Sequence, residues 1–385
     1  MKYRLFGKLG WQVSVLGFGC MRFPKTEAGR IDVPAAERMV KYAVEQGVNY
    51  LDTAYVYHEG ESEHFLGEIL KGGWRQKVHL ATKLPCWEAK TPLDFDRLLN
   101  EQLQKLQTDY IDVYLLHALD GQSWQRMRGL GVLEWLCKIK TEGKVRAIGF
   151  SFHDCFEVFK EIIDAYEDWD VCQIQYNYMN QNYQAGTRGL EYAAARRLGV
   201  VIMEPLLGGK LANPPQRICH LFETFPRKAS PAEWSLQWLW NRTEVSVVLS
   251  GMSSMEQVAE NVRSASRSAP ESMSREELVL FEKVQKTFEA IAPVPCTACG
   301  YCLPCPSGVN IPENFSVFNK GVMYDDLEAA RWEYQSLKQN QGEASVAEAC
   351  IQCGTCEPKC PQKIAISQWM PRIDAVLGKG QTYNP

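Results

Sequence analysis

The sequence predicts an α/β protein in two parts, a (β/α)8 TIM barrel followed by a small, mainly α-helical domain. Three observations predict it. Up to about residue 265, short apolar β-branched runs alternate with amphipathic stretches of helical length, the pattern of βα units around a parallel sheet. Eight such runs can be counted, the number that closes a barrel. Beyond residue 264 the strand rhythm stops, and eight of the fourteen cysteines fall into two short runs.

The opening KYRLFGKLGWQVS reads as a hairpin across a glycine turn, suited to plug the barrel bottom. The strands follow as VSVLGFGC (13–20), YLDTA (50–54), VHLATKL (78–84), IDVYLLH (111–117), VRAIGFSF (145–152), VCQIQYN (171–177), GVVIMEP (199–205) and VSVVLSGM (245–252). Each is nearly continuous in apolar residues, as a strand covered on both faces should be. Between them, VPAAERMVKYAVEQG repeats apolar residues near i, i+3, i+4 and i+7 and ends at a glycine, which marks a helix packed on one face. SREELVLFEKVQKTFEAI reads as a single helix leading into PVPC, and YDDLEAARWEYQSLKQ as another between the two cysteine runs. The barrel is expected over 1–285 and the cysteine-bearing domain over 286–385.

A formal charge of −4 without basic or acidic blocks gives no footprint for nucleic acid or a membrane surface, so a small-molecule substrate is the expectation. The N-terminus lacks the charged start and continuous apolar core of a signal peptide, and no window approaches the roughly 18 apolar residues of a membrane span. A cytoplasmic protein is expected, in which clustered cysteines bind metal rather than form disulfides.

Barrel enzymes carry their chemistry at the C-terminal ends of the strands. Four ionisable residues meet that condition: Asp52 ending the second strand, Tyr57 in the loop after it, Lys83 ending the third and His117 ending the fourth. Reduction of a carbonyl by hydride needs a proton for the nascent alkoxide, and a phenol near pKa 10 gives one up at neutral pH only beside a cation. Lys83 would be that cation, Asp52 would hold it charged and oriented, and His117 would hydrogen-bond the carbonyl oxygen. The alternative is a structural Asp52–Lys83 ion pair with His117 serving the backbone.

LDTAYVY, ATK and LLH resemble the Asp, Tyr, Lys and His tetrad of the aldo/keto reductases, in order and on the expected strands, and the likeness extends over residues 3 to about 265. The resemblance implies carbonyl–alcohol interconversion with NAD(P)H. It also implies that Ser151 and Gln173 bind the nicotinamide carboxamide. EPLLGGKL, with Leu207, Gly208 and Gly209, would wrap the pyrophosphate, and SGMSSMEQVAEN, with Gly251 and Asn261, would meet the adenosine. Met203 stands where the family often stacks an aromatic residue on the nicotinamide. Gly251 and Gln257 stand where many relatives clamp a 2′-phosphate with Lys and Arg, so no strong preference for NADP over NAD is expected. His117, where relatives that reduce steroid double bonds carry Glu, points to carbonyl chemistry.

The first cysteine run, Cys296, Cys299, Cys302 and Cys305, has the spacing C-x2-C-x2-C-x2-C-P. The second, Cys350, Cys353, Cys356 and Cys360, has C-x2-C-x2-C-x3-C-P, the bacterial ferredoxin pattern. The pattern implies two 4Fe–4S clusters in a ferredoxin-like iron–sulfur domain; one cluster or a zinc site is the alternative. In two-cluster ferredoxins the fourth cysteine serves the other run's cluster, which would group Cys296, Cys299 and Cys302 with Cys360, and Cys350, Cys353 and Cys356 with Cys305. The first run is one residue short before Cys305.

The whole chain resembles aldo/keto reductases fused to a C-terminal 4Fe–4S ferredoxin-type domain. Three readings follow: a hydride-transferring barrel whose clusters exchange electrons with a redox partner protein or the active site; a nicotinamide-dependent reductase with structural clusters; or a non-catalytic electron-transfer or redox-sensing module. A flavin, able to split an electron pair, is a further candidate cofactor for the first, although no flavin motif is recognisable.

Overall fold

All eight expected strands form. A hairpin of β1 (Tyr3–Leu5) and β2 (Gln12–Ser14) precedes β3 (Leu16–Gly19), β4 (Tyr50–Asp52), β5 (His79–Leu84), β6 (Ile111–Leu119), β7 (Val145–Phe152), β8 (Val171–Gln175), β9 (Gly199–Met203) and β10 (Val247–Ser250). In this computed structural model, which describes residues 1–296 and 298–384, β3 to β10 form a closed barrel in sequence order, with β10 pairing in parallel with β3. The first expected run is split. Ser14 donates its hydroxyl to the Leu16 carbonyl and its amide to the Asn49 side chain, which turns the chain between β2 and β3.

The hairpin plugs the barrel. Phe6 is fully buried among Tyr50, Ala81, Val113, Ala147, Val171, Val201 and Val247, one or more apolar residues from each of β4 to β10. The plug depends on Gly199, where a Cβ would stand 2.5 Å from the Phe6 ring. Outside the barrel, the helix Val33–Glu45 starts at Asp32, whose side chain accepts from the Ala35 amide, and turns Ala36, Met39, Val40 and Ala43 inward. This is the i, i+3, i+4, i+7 stripe expected from its sequence.

Two units divide the chain: residues 1–212 with 229–274, and residues 213–228 with those from 275 onward. The packing boundary thus falls at 274/275, ahead of the expected 285/286. The helix Arg275–Ile291 packs against the helix Gln216–Thr224, with Phe281 against Phe222, so both belong with the C-terminal residues. The second unit is helical, built further from Ile311–Met323, Leu327–Gln341 and Ile366–Ile373 around Phe315, Phe318, Tyr334 and Met370. Asn314 binds it internally, accepting from the Ala347 amide and donating to the Ser345 carbonyl. No helix among the described residues is long and apolar enough to cross a membrane.

Candidate active site and cysteine unit

Asp52 and Lys83 end up side by side because β4 and β5 are adjacent and in register, with Asp52 opposite Ala81. Both are buried, and Lys83 Nζ donates to Asp52 Oδ1 and to the Thr53 carbonyl, each at 2.7 Å. Lys83 Nζ also lies 5.0 Å from the centre of the Tyr57 ring, within reach of its hydroxyl. Burial opposes the charge on Lys83, but Asp52 and then Tyr57 outweigh it and raise the ammonium above its ordinary pKa. Burial also pushes the Asp52 carboxyl up, against the downward pull of Lys83.

Tyr57 opens a turn whose next residues, His58, Glu59 and Gly60, have φ of 52°, 56° and 89°. Left-handed conformation at two successive non-glycine residues carries strain and needs support. His58 supplies some, its Nε2 accepting from the Phe23 amide at 3.3 Å while its ring packs on Phe23. The Tyr57 hydroxyl departs from the sequence expectation. Burial raises its pKa, and Lys83, which does pull it down, only partly offsets this. Tyr57 therefore carries its proton at neutral pH.

His117 reaches the same mouth through an irregularity of β6. The register with β7 shifts between Leu116 and Leu119, Ala118 takes φ of 54°, and the freed Ala118 amide donates to Ser151 Oγ at 2.8 Å. Such a bulge re-aims a side chain. The His117 ring stands 6.2 Å from that of Tyr57. Burial, then the Lys83 charge, pushes its pKa down to about 3, so the imidazole is neutral, and its buried Nδ1 has no partner among the described residues.

The expected cofactor contacts lie on the next strands and loops. Ser151 and Gln173 are register partners across β7 and β8, both buried. Gln173 Nε2 rests 3.7 Å from Met203 Sδ, and its Oε1 is buried without a partner among the described residues. After β9, Leu207, Gly208 and Gly209 form a tight turn, with φ of 68° and 103° at the two glycines and open space where a Gly209 side chain would be. Gly251 follows β10, and Asn261 is buried with its amide donating to Ser250 Oγ at 3.0 Å. An unpartnered amide oxygen beside a strand-end hydroxyl, together with an open glycine turn, fits a nicotinamide dinucleotide, whose carboxamide needs an acceptor and whose phosphates need close backbone approach.

In the second unit, the two cysteine runs share left-handed residues at matching positions. Ala298 and Gly300 have φ of 52° and 76°, Gln352 and Gly354 have 57° and 71°. The Ala298 amide donates to Cys296 Sγ, and the Gln352 amide to Cys350 Sγ, both at 3.4 Å. Cys296, Cys299 and Cys302 line one cavity with Cys360 from the other run, walled by Pro312, Phe315, Ile364 and Ile366. On the other side, Cys356 lies within electrostatic reach of Cys305 and Cys350. These contacts bring Cys360 to the first run, and Cys305 to Cys350 and Cys356 of the second. Among the described residues no three His, Cys, Asp or Glu side chains gather closely enough for a single metal ion. Four thiols spread around an apolar-walled cavity, with amides aimed at sulfur, fit a cluster bound by thiolates.

Residues 15–276 match the aldo/keto reductase family. The chain belongs to that family. It is an oxidoreductase, and residues 295–365 match a 4Fe-4S dicluster domain, so the second unit is an iron–sulfur domain. An L-galactose dehydrogenase of Arabidopsis thaliana is 27% identical over 307 residues, 74% of this chain and 94% of the relative. The holo form of an aldo-keto reductase from Bacillus halodurans is 28% identical with a TM-score of 0.62, covering 74% of this chain and 96% of its own. An aldo-keto reductase from Klebsiella pneumoniae, solved in complex with NADPH, shares the fold at 23% identity and a TM-score of 0.59, over 74% and 95% of the two chains.

Two residues of this reductase barrel escape a reading by motif. Trp87, 38% exposed in the loop after β5, stands 5.1 Å from the His117 ring and walls the mouth. Its signal was a lone tryptophan in a strand-end loop. Arg22, after β3, lies against both Gly208 and Gly251; nothing local in the sequence links it to either.

Proposed function

We propose that the barrel interconverts a small-molecule carbonyl and its alcohol, with Tyr57 as the proton donor and acceptor. The observation that carries this is a buried ammonium, Lys83, held between a carboxylate and a phenol at the mouth of the barrel. NAD(P)H, when bound, supplies the hydride. Ser151 and the unpartnered Gln173 oxygen hold the carboxamide end, and the Leu207–Gly209 turn admits the phosphates. His117, neutral, donates a hydrogen bond to the carbonyl oxygen and sets it beside the Tyr57 hydroxyl, which gives its proton to that oxygen as negative charge develops there. Lys83 stabilises the phenolate left behind, and Asp52 keeps Lys83 charged. The products are an alcohol, oxidised cofactor and a phenolate that regains its proton from solvent. The name of the Arabidopsis relative makes polyhydroxylated aldehydes and lactols a first class to test.

The test is Tyr57→Phe. Carbonyl reduction should fall by a factor of about 100 or more, the scale of a lost general acid, while the affinity for nicotinamide dinucleotide stays within twofold. Near-normal turnover would remove Tyr57 as the acid.

The second unit, in this reading, holds two 4Fe–4S clusters, one by Cys296, Cys299, Cys302 and Cys360 and the other by Cys350, Cys353, Cys356 and Cys305. Such clusters supply single electrons, for exchange with a redox partner protein, and the protein works in the cytoplasm. One observation favours structural clusters instead: Cys356 belongs to the unit's apolar core and Cys296, Cys302, Cys305, Cys350 and Cys360 pack against it. Cluster-loss variants that stay folded and fully active would decide against electron transfer.

A further inference from the structure

The loop after β10 offers Gly251 and Gln257 where a basic pair would clamp a phosphate, but barrel closure changes what that loop faces. Because β10 pairs with β3, the chain leaving β3 at Gly19 runs beside the chain leaving β10 at Ser250. Arg22, in the first of these, is exposed and makes no hydrogen bond or ion pair among the described residues. Its stem lies along Gly251, where a Cβ would stand 3.1 Å from Arg22 Cδ, 3.2 Å from Cγ and 3.3 Å from Cβ. Its Nη2 stands 3.6 Å from the place of a Gly208 Cβ. The side chain therefore crosses from the end of β10 to the turn after β9, and a free guanidinium hangs over Gly208 and the open Gly209.

We propose that Arg22 is a phosphate-binding residue, its guanidinium and the Gly208–Gly209 backbone together taking the diphosphate of the nicotinamide dinucleotide. This rests on the nicotinamide reading above and deepens it. A guanidinium presents a planar fork to phosphate oxygens, and a turn without side chains lets the diphosphate come close on the other side. Gly251 then has a positive role: it is the floor along which Arg22 lies, and a side chain there would crowd it. The charge missing from the Gly251 and Gln257 positions comes from the far end of the closing seam. Because the stem, not the head, touches Gly251, the diphosphate rather than the 2′-phosphate is the anion within reach.

Titration of the purified full-length protein with NADH and NADPH, and with the same series on Arg22→Met and Gly251→Val, tests this. Arg22→Met should weaken both dinucleotides alike, by roughly 10- to 100-fold, the scale of a lost hydrogen bond to a charged group. It should leave the thermal midpoint unchanged, since Arg22 is exposed, and should flatten the salt dependence of binding. Gly251→Val should weaken both in the same direction. Weakening of NADPH alone would move Arg22 to the 2′-phosphate and overturn the diphosphate assignment. Unchanged affinity for both would overturn the proposal while leaving the nicotinamide reading intact. Failure of the unaltered protein to bind either dinucleotide would overturn the nicotinamide reading and the proposal with it.

Discussion

Replacing Lys83 with Met tests the buried pair directly, because it keeps the length of the side chain and removes its charge. Asp52 is 2% exposed, its Oδ1 has Lys83 as its partner and its Oδ2 has none among the described residues. Removing one member of such a pair costs about 3–5 kcal/mol when the remaining charge has to stay. Asp52 can escape by taking a proton, since burial already pushes its carboxyl up and the opposing pull of Lys83 is gone in the variant. A carboxyl whose pKa is raised in the folded protein binds more protons folded than unfolded, so stability falls as pH rises from the unfolded carboxyl range through that raised value. Lys83→Met should therefore be destabilised more at pH 8 than at pH 5, with the full penalty appearing only at the higher pH. Urea unfolding followed by tryptophan fluorescence at both pH values measures it. The double variant Asp52→Asn/Lys83→Met should recover most of the loss, as two groups in contact are not additive. Equal destabilisation at the two pH values, with no recovery in the double variant, would refute a buried, charge-dependent pair.

Cys360→Ala and Cys296→Ala should remove the same cluster signal by electron paramagnetic resonance, and Cys305→Ala the other, each dropping iron from about eight to about four per chain. Loss of one signal by Cys296→Ala and the other by Cys360→Ala would overturn the crossed grouping. Gly199→Ala should destabilise the barrel by about 1–3 kcal/mol in urea unfolding, because its Cβ would meet the Phe6 ring at 2.5 Å; an unchanged midpoint would show that the plug yields freely. The pH profile of kcat/KM for carbonyl reduction should be flat from pH 5 to 8, since the His117 pKa is about 3 and Tyr57 lies above the usual phenol value. Alcohol oxidation, which needs the phenolate, should rise across the same range. A limb near pH 6.5 in the reductive profile that disappears in His117→Gln would contradict a neutral His117.

The barrel could be read from the sequence because each strand declares itself locally, through a short apolar run between helical stripes. Asp52, Lys83 and His117 were legible for the same reason, since each stands near the end of such a run, although the irregularity of β6 that aims His117 has no local signal. Three things were not legible. The sign of the Tyr57 shift depends on how deeply the ring is buried, and that depth depends on the packing of loops from several strands, so the chemical expectation of a lowered phenol missed the larger opposing cost. Arg22 meets Gly251 only because β3 and β10 close the sheet, a contact between opposite ends of the barrel sequence. The helix Arg275–Ile291 was legible as a helix at the domain junction, but its own periodicity contains nothing about its partner, so the expected boundary at 285/286 fell inside it; its packing with Gln216–Thr224, an insertion within the barrel sequence, decides its unit.

The proton inventory of the barrel bears on how the two halves could work together. In the proposed mechanism the site holds one proton for transfer at neutral pH, on Tyr57, with His117 neutral and Lys83 held charged by Asp52. One proton matches one hydride: a carbonyl that takes both becomes an alcohol in a single passage, with no odd-electron carbon for the protein to stabilise. A cluster moves one electron and no proton. Delivering a pair by that route would need two separate electron arrivals and a second proton, for which the arrangement of Tyr57, Lys83 and Asp52 makes no provision. If the iron–sulfur unit shares electrons with the barrel's chemistry, the pair must be divided outside this site, by a flavin or by a redox partner protein. Adding NADPH to flavin-free protein should then leave the clusters oxidised, and supplying a flavin or a flavoprotein should reduce them; cluster reduction by NADPH alone would show that the barrel itself splits the pair.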